Sequence, residues 1–230
     1  MNNAKLIVID GGANVGKATQ ADMLMNRLMS EGHLVGKIDF PRYNQNSIGH
    51  FIRECLDSEA DTFATLDPRI VAMVYAIDRF ESKKQIDEWV AESRIIIFDR
   101  YVSSNMMHQG AKVQDADARE EFFSWVEHLE YDILGLPRPD MTIYLDIPAE
   151  DSEKLLEYIE DIGVAVVGSQ EKDRLHQAKV SKCASYLAHT QNQWVTVSCM
   201  NEGTLRLRED IHEDVYAAVK AKIGSAGQTV

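Results

Sequence analysis

The stretch LIVIDGGANVGK, residues 6–17, constrains this chain more than any other. LIVID is an unbroken run of mostly apolar, β-branched residues. Such a run suits a strand covered on both faces, which belongs to parallel sheets. It leads straight into glycines at positions 11, 12 and 16. A segment follows in which Met23, Leu24, Leu28 and Met29 recur at helical spacing, with Gly32 placed where a helix would stop. A buried strand, a tight glycine loop and a helix in direct succession are one half of a βαβ unit.

The alternation continues along the chain. LVGKIDF (34–40), RIIIFD (94–99), MTIYLDI (141–147) and WVTVSC (194–199) read as four further strands. The segment 67–92 reads as one long helix with Pro68 near its start, and 118–134 as another. A polar helical stretch precedes the last strand, and an amphipathic helix covers about 207–223. This pattern predicts an α/β fold: a single three-layer αβα domain over 1–223, with a five-stranded parallel sheet flanked by helices. The remainder, 224–230, is expected to be a disordered tail. Gly11–Lys17, Phe40–Arg42, Asp99–Arg100 and the loop after Cys199 all lie just past strand ends. Parallel sheets bind their ligands there, so these residues are expected to share one site.

Composition narrows the functions. With 24 Lys and Arg against 37 Asp and Glu, the chain carries a formal charge of -13. A general nucleic-acid binder needs the opposite balance, whereas a nucleotide site needs only a few local cations. Cys55, Cys183 and Cys199 are odd in number and widely spaced, which fits neither a disulfide framework nor a zinc site. The apolar runs are too short for a signal peptide or a membrane span. A cytoplasmic location, with no membrane and no nucleic acid as partner, is the expectation.

The frame from Gly11 to Lys17 is G-x-x-x-x-G-K, a phosphate cradle. Backbone N–H groups and the helix N-terminus face phosphate oxygens, with Lys17 as a point charge. The next position, which usually offers a hydroxyl to Mg²⁺, is Ala18; a hydroxyl comes one place later, at Thr19. The bland alternative is a strand-to-helix turn with a solvated lysine. FDRYVSSNMMHQGAK (98–112) is the second motif. Asp99, ending a buried strand, is placed to hold Mg²⁺, and Arg100 offers a fork suited to a phosphoryl group. A structural ion pair would use the same two residues. By spacing alone, His108 could equally be a surface histidine.

GGANVGKATQ, IDFPRY (38–43), YAIDRF (75–80), FDRYVSSNMMHQGAK, LGLPRPDMTIYLDIPAE (134–150) and WVTVSC occur in an order and spacing that resembles the thymidylate kinases. These are P-loop nucleoside monophosphate kinases that transfer the γ-phosphoryl of ATP to dTMP. The resemblance covers nearly the whole chain. It implies a dTMP kinase of deoxynucleotide biosynthesis with Mg²⁺ as cofactor and ATP as donor.

For the residues, the resemblance implies an ATP-binding loop of Gly11, Gly12, Ala13, Asn14, Val15, Gly16, Lys17, Ala18 and Thr19. It implies a dTMP pocket of Phe40, Arg42, Tyr75, Arg79, Arg100, Ser104, Asn105, His108 and Gln109. Tyr75 would stack on the base and Arg79, one helical turn on, would read its edge. Arg42 and Arg100 would bind the acceptor phosphate. Lys17, Asp99, Arg100 and a lid cation would form the catalytic set, with Asp99 beside the metal. The lid would cover about 150–180; Lys154, Lys172, Arg174 and Lys179 are available there, and Arg174 is the choice.

The resemblance also implies a homodimer built on helices that flank the sheet, although no clear apolar stripe stands out. Three departures are visible: Ala18, an arginine-poor lid, and Ala13, where the family usually has Asp or Glu near the acceptor sugar. Asp10 and Asp39 are possible substitutes for that carboxylate. The departures keep two alternatives open: a kinase for another pyrimidine deoxynucleotide or nucleoside, and a non-catalytic nucleotide-binding relative.

Overall fold

The computed structural model describes residues 4–57, 63, 66–148, 151 and 174–224. Five strands form one sheet: β1 (Lys5–Gly11), β2 (Val35–Asp39), β3 (Ile95–Asp99), β4 (Met141–Asp146) and β5 (Trp194–Ser198). Their order is β2-β3-β1-β4-β5, and every pairing is parallel. β1 is central, and the connections depart from it in opposite directions. The loop at its carboxyl end therefore opens at the switch point of the sheet.

The alternation within β1 shows why a continuous apolar run was needed. Leu6 and Val8 join one core, while Ile7 and Ile9 join the other. The second core is closed by α1 (Lys17–Ser30) and the last helix, α8 (Arg208–Gly224), through Leu24, Leu28, Ile211, Val215 and Val219. The first is closed by α3 (Pro68–Glu81), α4 (Lys83–Ala91), α5 (Val102–Gly110), α6 (Ala116–Glu127) and α7 (Arg174–Thr190). This is the expected three-layer αβα arrangement. A smaller apolar cluster joins α2 (Ser47–Asp57) to α3 through Ile52, Phe63 and Val71. A short hairpin, β6 (Met200–Asn201) with β7 (Thr204–Leu205), precedes α8.

The structure corrects several element expectations. The helix expected over 67–92 is two helices. At Ser82 the backbone N–H donates to the Arg79 carbonyl three residues back (3.0 Å), and the Ser82 hydroxyl is held by Arg42 Nη1 (3.1 Å). Together these end one helix and start the next. The helix expected over 118–134 starts earlier, because Asp115 caps it by accepting from Ala118 N–H (2.9 Å). Its last turn, His128–Ile133, is π-helical, with Leu134 N–H reaching the Leu129 carbonyl five residues back. Helices α2 and α5 had no counterpart in the sequence analysis. Most of the expected lid, including Lys154 and Lys172, lies outside the described residues, as does the side chain of Arg174. The segment 225–230 also lies outside them.

Candidate active site

The loop after β1 has the backbone that a phosphate cradle needs. Asn14 (φ 56°) and Gly16 (φ 88°) are both left-handed. Gly11 is required for space: a Cβ there would stand 2.8 Å from the Leu145 carbonyl oxygen. Gly16 is the N-cap of α1 and offers no side-chain bond to the first-turn N–H groups. That end of the helix, with its positive dipole, suits an anion. Lys17 is buried, and its ammonium donates to the Gly12 carbonyl (2.5 Å) inside the same loop.

Lys17, Ala18 and Thr19 form one end of a cavity of about 640 Å³. Asp39, Asp99 and Arg100 line it at the strand ends. Phe40, Pro41, Tyr43, Leu56 and Tyr75 form an apolar wall, and Arg79, Ser104, Asn105, His108 and Gln109 a polar one. Most of the residues expected in one site are thus brought together. Helix α5 explains four of them: 104, 105, 108 and 109 share one helical face.

Burial holds the Asp99 carboxyl above the usual carboxylate range, while Lys17 and Arg100 pull it the other way. A positive φ (65°) turns Arg100, whose N–H donates to the Ile9 carbonyl (3.0 Å). Its Nη1 lies 3.3 Å from His108 Nε2. A guanidinium only donates, so His108 Nε2 is the acceptor and the imidazole is neutral with its proton on Nδ1. Burial first, then the charge of Arg100, pushes His108 well below its ordinary pKa. His108 therefore lines the cavity beside Arg100 and is not a solvated surface histidine.

Other expected residues sit differently. Arg42 is not among the cavity-lining residues. It donates through Nε to Gln45 (3.0 Å) and through Nη1 to Ser82 (3.1 Å) and Gln85 (3.0 Å). Ala13 is buried on the other side of the loop, beside a small cavity lined by Tyr144, Gln177 and Ser181. Asp10 is taken by the Ser103 and Ser104 hydroxyls (2.6 and 2.8 Å) and by Gly11 N–H (2.9 Å). Of the two possible substitutes for a carboxylate at position 13, only Asp39 stands at the cavity, paired with Lys37 (3.1 Å).

The polar wall holds a residue that the sequence analysis missed. Glu130, fully buried on the π-helical turn, accepts from Arg79 Nε (2.5 Å) and Nη2 (2.6 Å) and from Asn105 Nδ2 (2.8 Å). Burial works against the Arg79 charge, but Glu130 more than offsets it and Arg79 stays protonated. Gln109, whose residue lines the cavity, has its buried Oε1 without a hydrogen-bond partner among the described residues.

A phosphate loop at the switch point of a parallel sheet, with Asp99 and Arg100 at the end of the neighbouring strand and one cavity joining them to Tyr75 and Arg79, defines a P-loop phosphotransferase. Comparison with known proteins makes the class specific. The thymidylate kinase pattern matches residues 9–211, and the chain belongs to the thymidylate kinase family. Among curated relatives, the thymidylate kinase of Mycobacterium tuberculosis is 31% identical over 145 residues, covering 63% of this chain and 67% of the relative. The thymidylate kinase of Dictyostelium discoideum is 30% identical over 153 residues (66% and 62%). The human one is 27% identical over 150 residues (65% and 64%). The matches thus span about two thirds of the relatives' own length.

Proposed function

We propose that this chain transfers the γ-phosphoryl of ATP to dTMP, giving ADP and dTDP for deoxynucleotide biosynthesis. The observation that carries this reading is one cavity whose lining joins Lys17 of the phosphate loop to Tyr75, Arg79 and Gln109. Phosphoryl transfer rests mainly on positioning and charge neutralisation, and that cavity offers both.

In this reading Lys17 and the first-turn N–H groups of α1 hold the donor phosphates. Lys17 exchanges the Gly12 carbonyl for a phosphate oxygen. Arg100 holds the acceptor phosphate. Arg42 joins it by leaving Gln45, Ser82 and Gln85. Tyr75 and Phe40 sandwich the base and sugar, and Ser104, Asn105, His108 and Gln109 line the pocket. Arg174 would add a lid cation. The acceptor is already a phosphate oxygen, so no general base is needed.

Among the described residues no group of three carboxylate, imidazole or thiol side chains could hold a metal alone. Asp99 offers a single hard oxygen donor, which suits Mg²⁺ that takes its other ligands from phosphates and water. When bound, the ion would neutralise charge between the phosphates.

We also infer a homodimer. Ile70, Met73, Ile77 and Phe80 form one stripe of α3 and are each 39–45% exposed, an apolar face whose burial a second copy would supply. A cytoplasmic setting is supported by Cys183 and Cys199, free buried thiols whose pKa values burial pushes up to about 12.

A coupled ADP-release assay over dTMP, dUMP, dCMP and thymidine tests the activity. Transfer to dTMP in preference to the others is the expected result. Turnover of thymidine but not dTMP, or binding of both nucleotides with no Mg²⁺-dependent transfer, would refute it. Light scattering at twice the chain mass, reduced to one by Ile77→Asp, is the expected result for the dimer.

A further inference from the structure

Arg79, Asn105 and Glu130 come from three separate elements and meet under the polar wall of the cavity. Glu130 is not among the cavity-lining residues, yet it determines what the other two present there. Its Oε2 takes Arg79 Nε and its Oε1 takes Arg79 Nη2, which leaves only the outer N–H groups, on Nη1 and the second hydrogen of Nη2, as donors that Arg79 can turn to a ligand. Asn105 spends one amide hydrogen on Glu130 Oε1 (2.8 Å) and the other on the Ala72 carbonyl (3.0 Å). Both of those partners only accept, so the amide cannot be flipped, and the atom left for the cavity is the carbonyl oxygen. The wall therefore offers an N–H beside a C=O, in a fixed order.

We propose that Glu130 is the positioning residue that sets this polarity and, through it, the choice of base. The inference rests on the dTMP reading above. A thymine or uracil edge carries a carbonyl acceptor next to an N–H donor, and it complements that wall. A cytosine edge carries an amino donor next to a ring-nitrogen acceptor. It would set N–H against Arg79 and a lone pair against Asn105, leaving buried polar groups unpaired. Glu130 sits on the π-helical turn, which is closed by Leu134 N–H to the Leu129 carbonyl and Leu136 N–H to the Glu130 carbonyl (3.0 Å).

Glu130→Gln tests the role with one atom changed. A glutamine has one oxygen, so either way its NH₂ opposes an Arg79 N–H: Nε if the oxygen replaces Oε1, or Nη2 together with Asn105 Nδ2 if it replaces Oε2. In both cases the two-point clamp on Arg79 is broken and the fixed direction of its guanidinium toward the cavity is lost; in the second, Asn105 also loses its acceptor. Equilibrium titration of dTMP and dCMP reads the preference whether or not turnover occurs, and initial rates read it again in activity. In E130Q the dTMP-over-dCMP preference should fall by about ten- to a hundredfold, the worth of one or two hydrogen bonds to charged groups. The change should lie in KM for the acceptor, with KM for ATP unaltered.

Glu130→Asp keeps the charge but shortens the reach; it should lose less of the preference, and it remains readable if E130Q does not fold. An unchanged dTMP-to-dCMP ratio in folded E130Q or E130D would overturn the positioning role alone. Wild-type protein that binds dTMP selectively but transfers no phosphate to it would sink the proposed activity and leave the positioning role standing. A wild type with no preference for dTMP overturns both.

Discussion

Arg79→Met should unfold this protein far more easily than a substitution in an enzyme pocket usually does. Arg79 is 2% exposed and Glu130 is not exposed at all. Methionine replaces the stem of the arginine and removes only the guanidinium. Glu130 is then left with Asn105 Nδ2 at 2.8 Å as its side-chain partner. Stranding one member of a buried ion pair costs about 3–5 kcal/mol. That is a large part of the roughly 5–15 kcal/mol of a typical domain.

Replacing both members tells a different story. In Arg79→Met/Glu130→Leu no charge is stranded, and Asn105 loses one of two hydrogen bonds, about 1 kcal/mol. The double variant should therefore recover most of what either single one loses. Urea unfolding followed by tryptophan fluorescence measures the two single variants and the double one. An R79M stability within about 0.5 kcal/mol of wild type, with unchanged m, would refute the reasoning.

Three further outcomes are expected. Lys17→Ala should lower kcat by at least about a hundredfold, as loss of a fixed charge at the transferring group does, with dTMP affinity by titration little changed. His108 has a folded pKa well below its unfolded value of about 6.5, so stability present above pH 6.5 is lost as pH falls from there toward the folded pKa. His108→Asn should flatten that part of the stability profile, and equal slopes in the two proteins would count against a buried neutral imidazole. Gly36→Ala should destabilise by about 1–3 kcal/mol, because its Cβ would fall 2.3 Å from Trp89 Cε3 on α4; a melting temperature equal to wild type would show that Trp89 yields freely.

Much of the fold was legible because its signals are local. A run such as LIVID or RIIIF is apolar at successive positions, and only a strand with cover on both faces uses every one of them. The glycine loop was legible for the same reason: left-handed backbone and close approach are demands on single residues. The αβα layering then followed from alternation alone. Boundaries were less legible. The break at Ser82 depends on Arg42, forty residues away. Helix α2 carries a helical pattern in Ile48, Phe51, Ile52, Cys55 and Leu56 that the sequence analysis passed over, whereas the short α5 interleaves its apolar residues with Ser, Asn, His and Gln.

By itself, then, the sequence determined the phosphate loop, the parallel sheet and the set of residues that gather at its carboxyl edge. Tertiary structure alone decided how those residues are oriented. It turned Ala13 away from the main cavity, spent Asp10 on two serines, and parked Arg42 on Gln45, Ser82 and Gln85. It drew Glu130 from the helical stretch 118–134 into contact with Arg79, 51 residues distant in the chain. It also collected Ile70, Met73, Ile77 and Phe80 into an exposed stripe. The physical reason is common to all of these. Periodicity and glycine placement record which face a residue needs, whereas hydrogen-bond and ion partners are chosen between elements that meet only after the chain has folded.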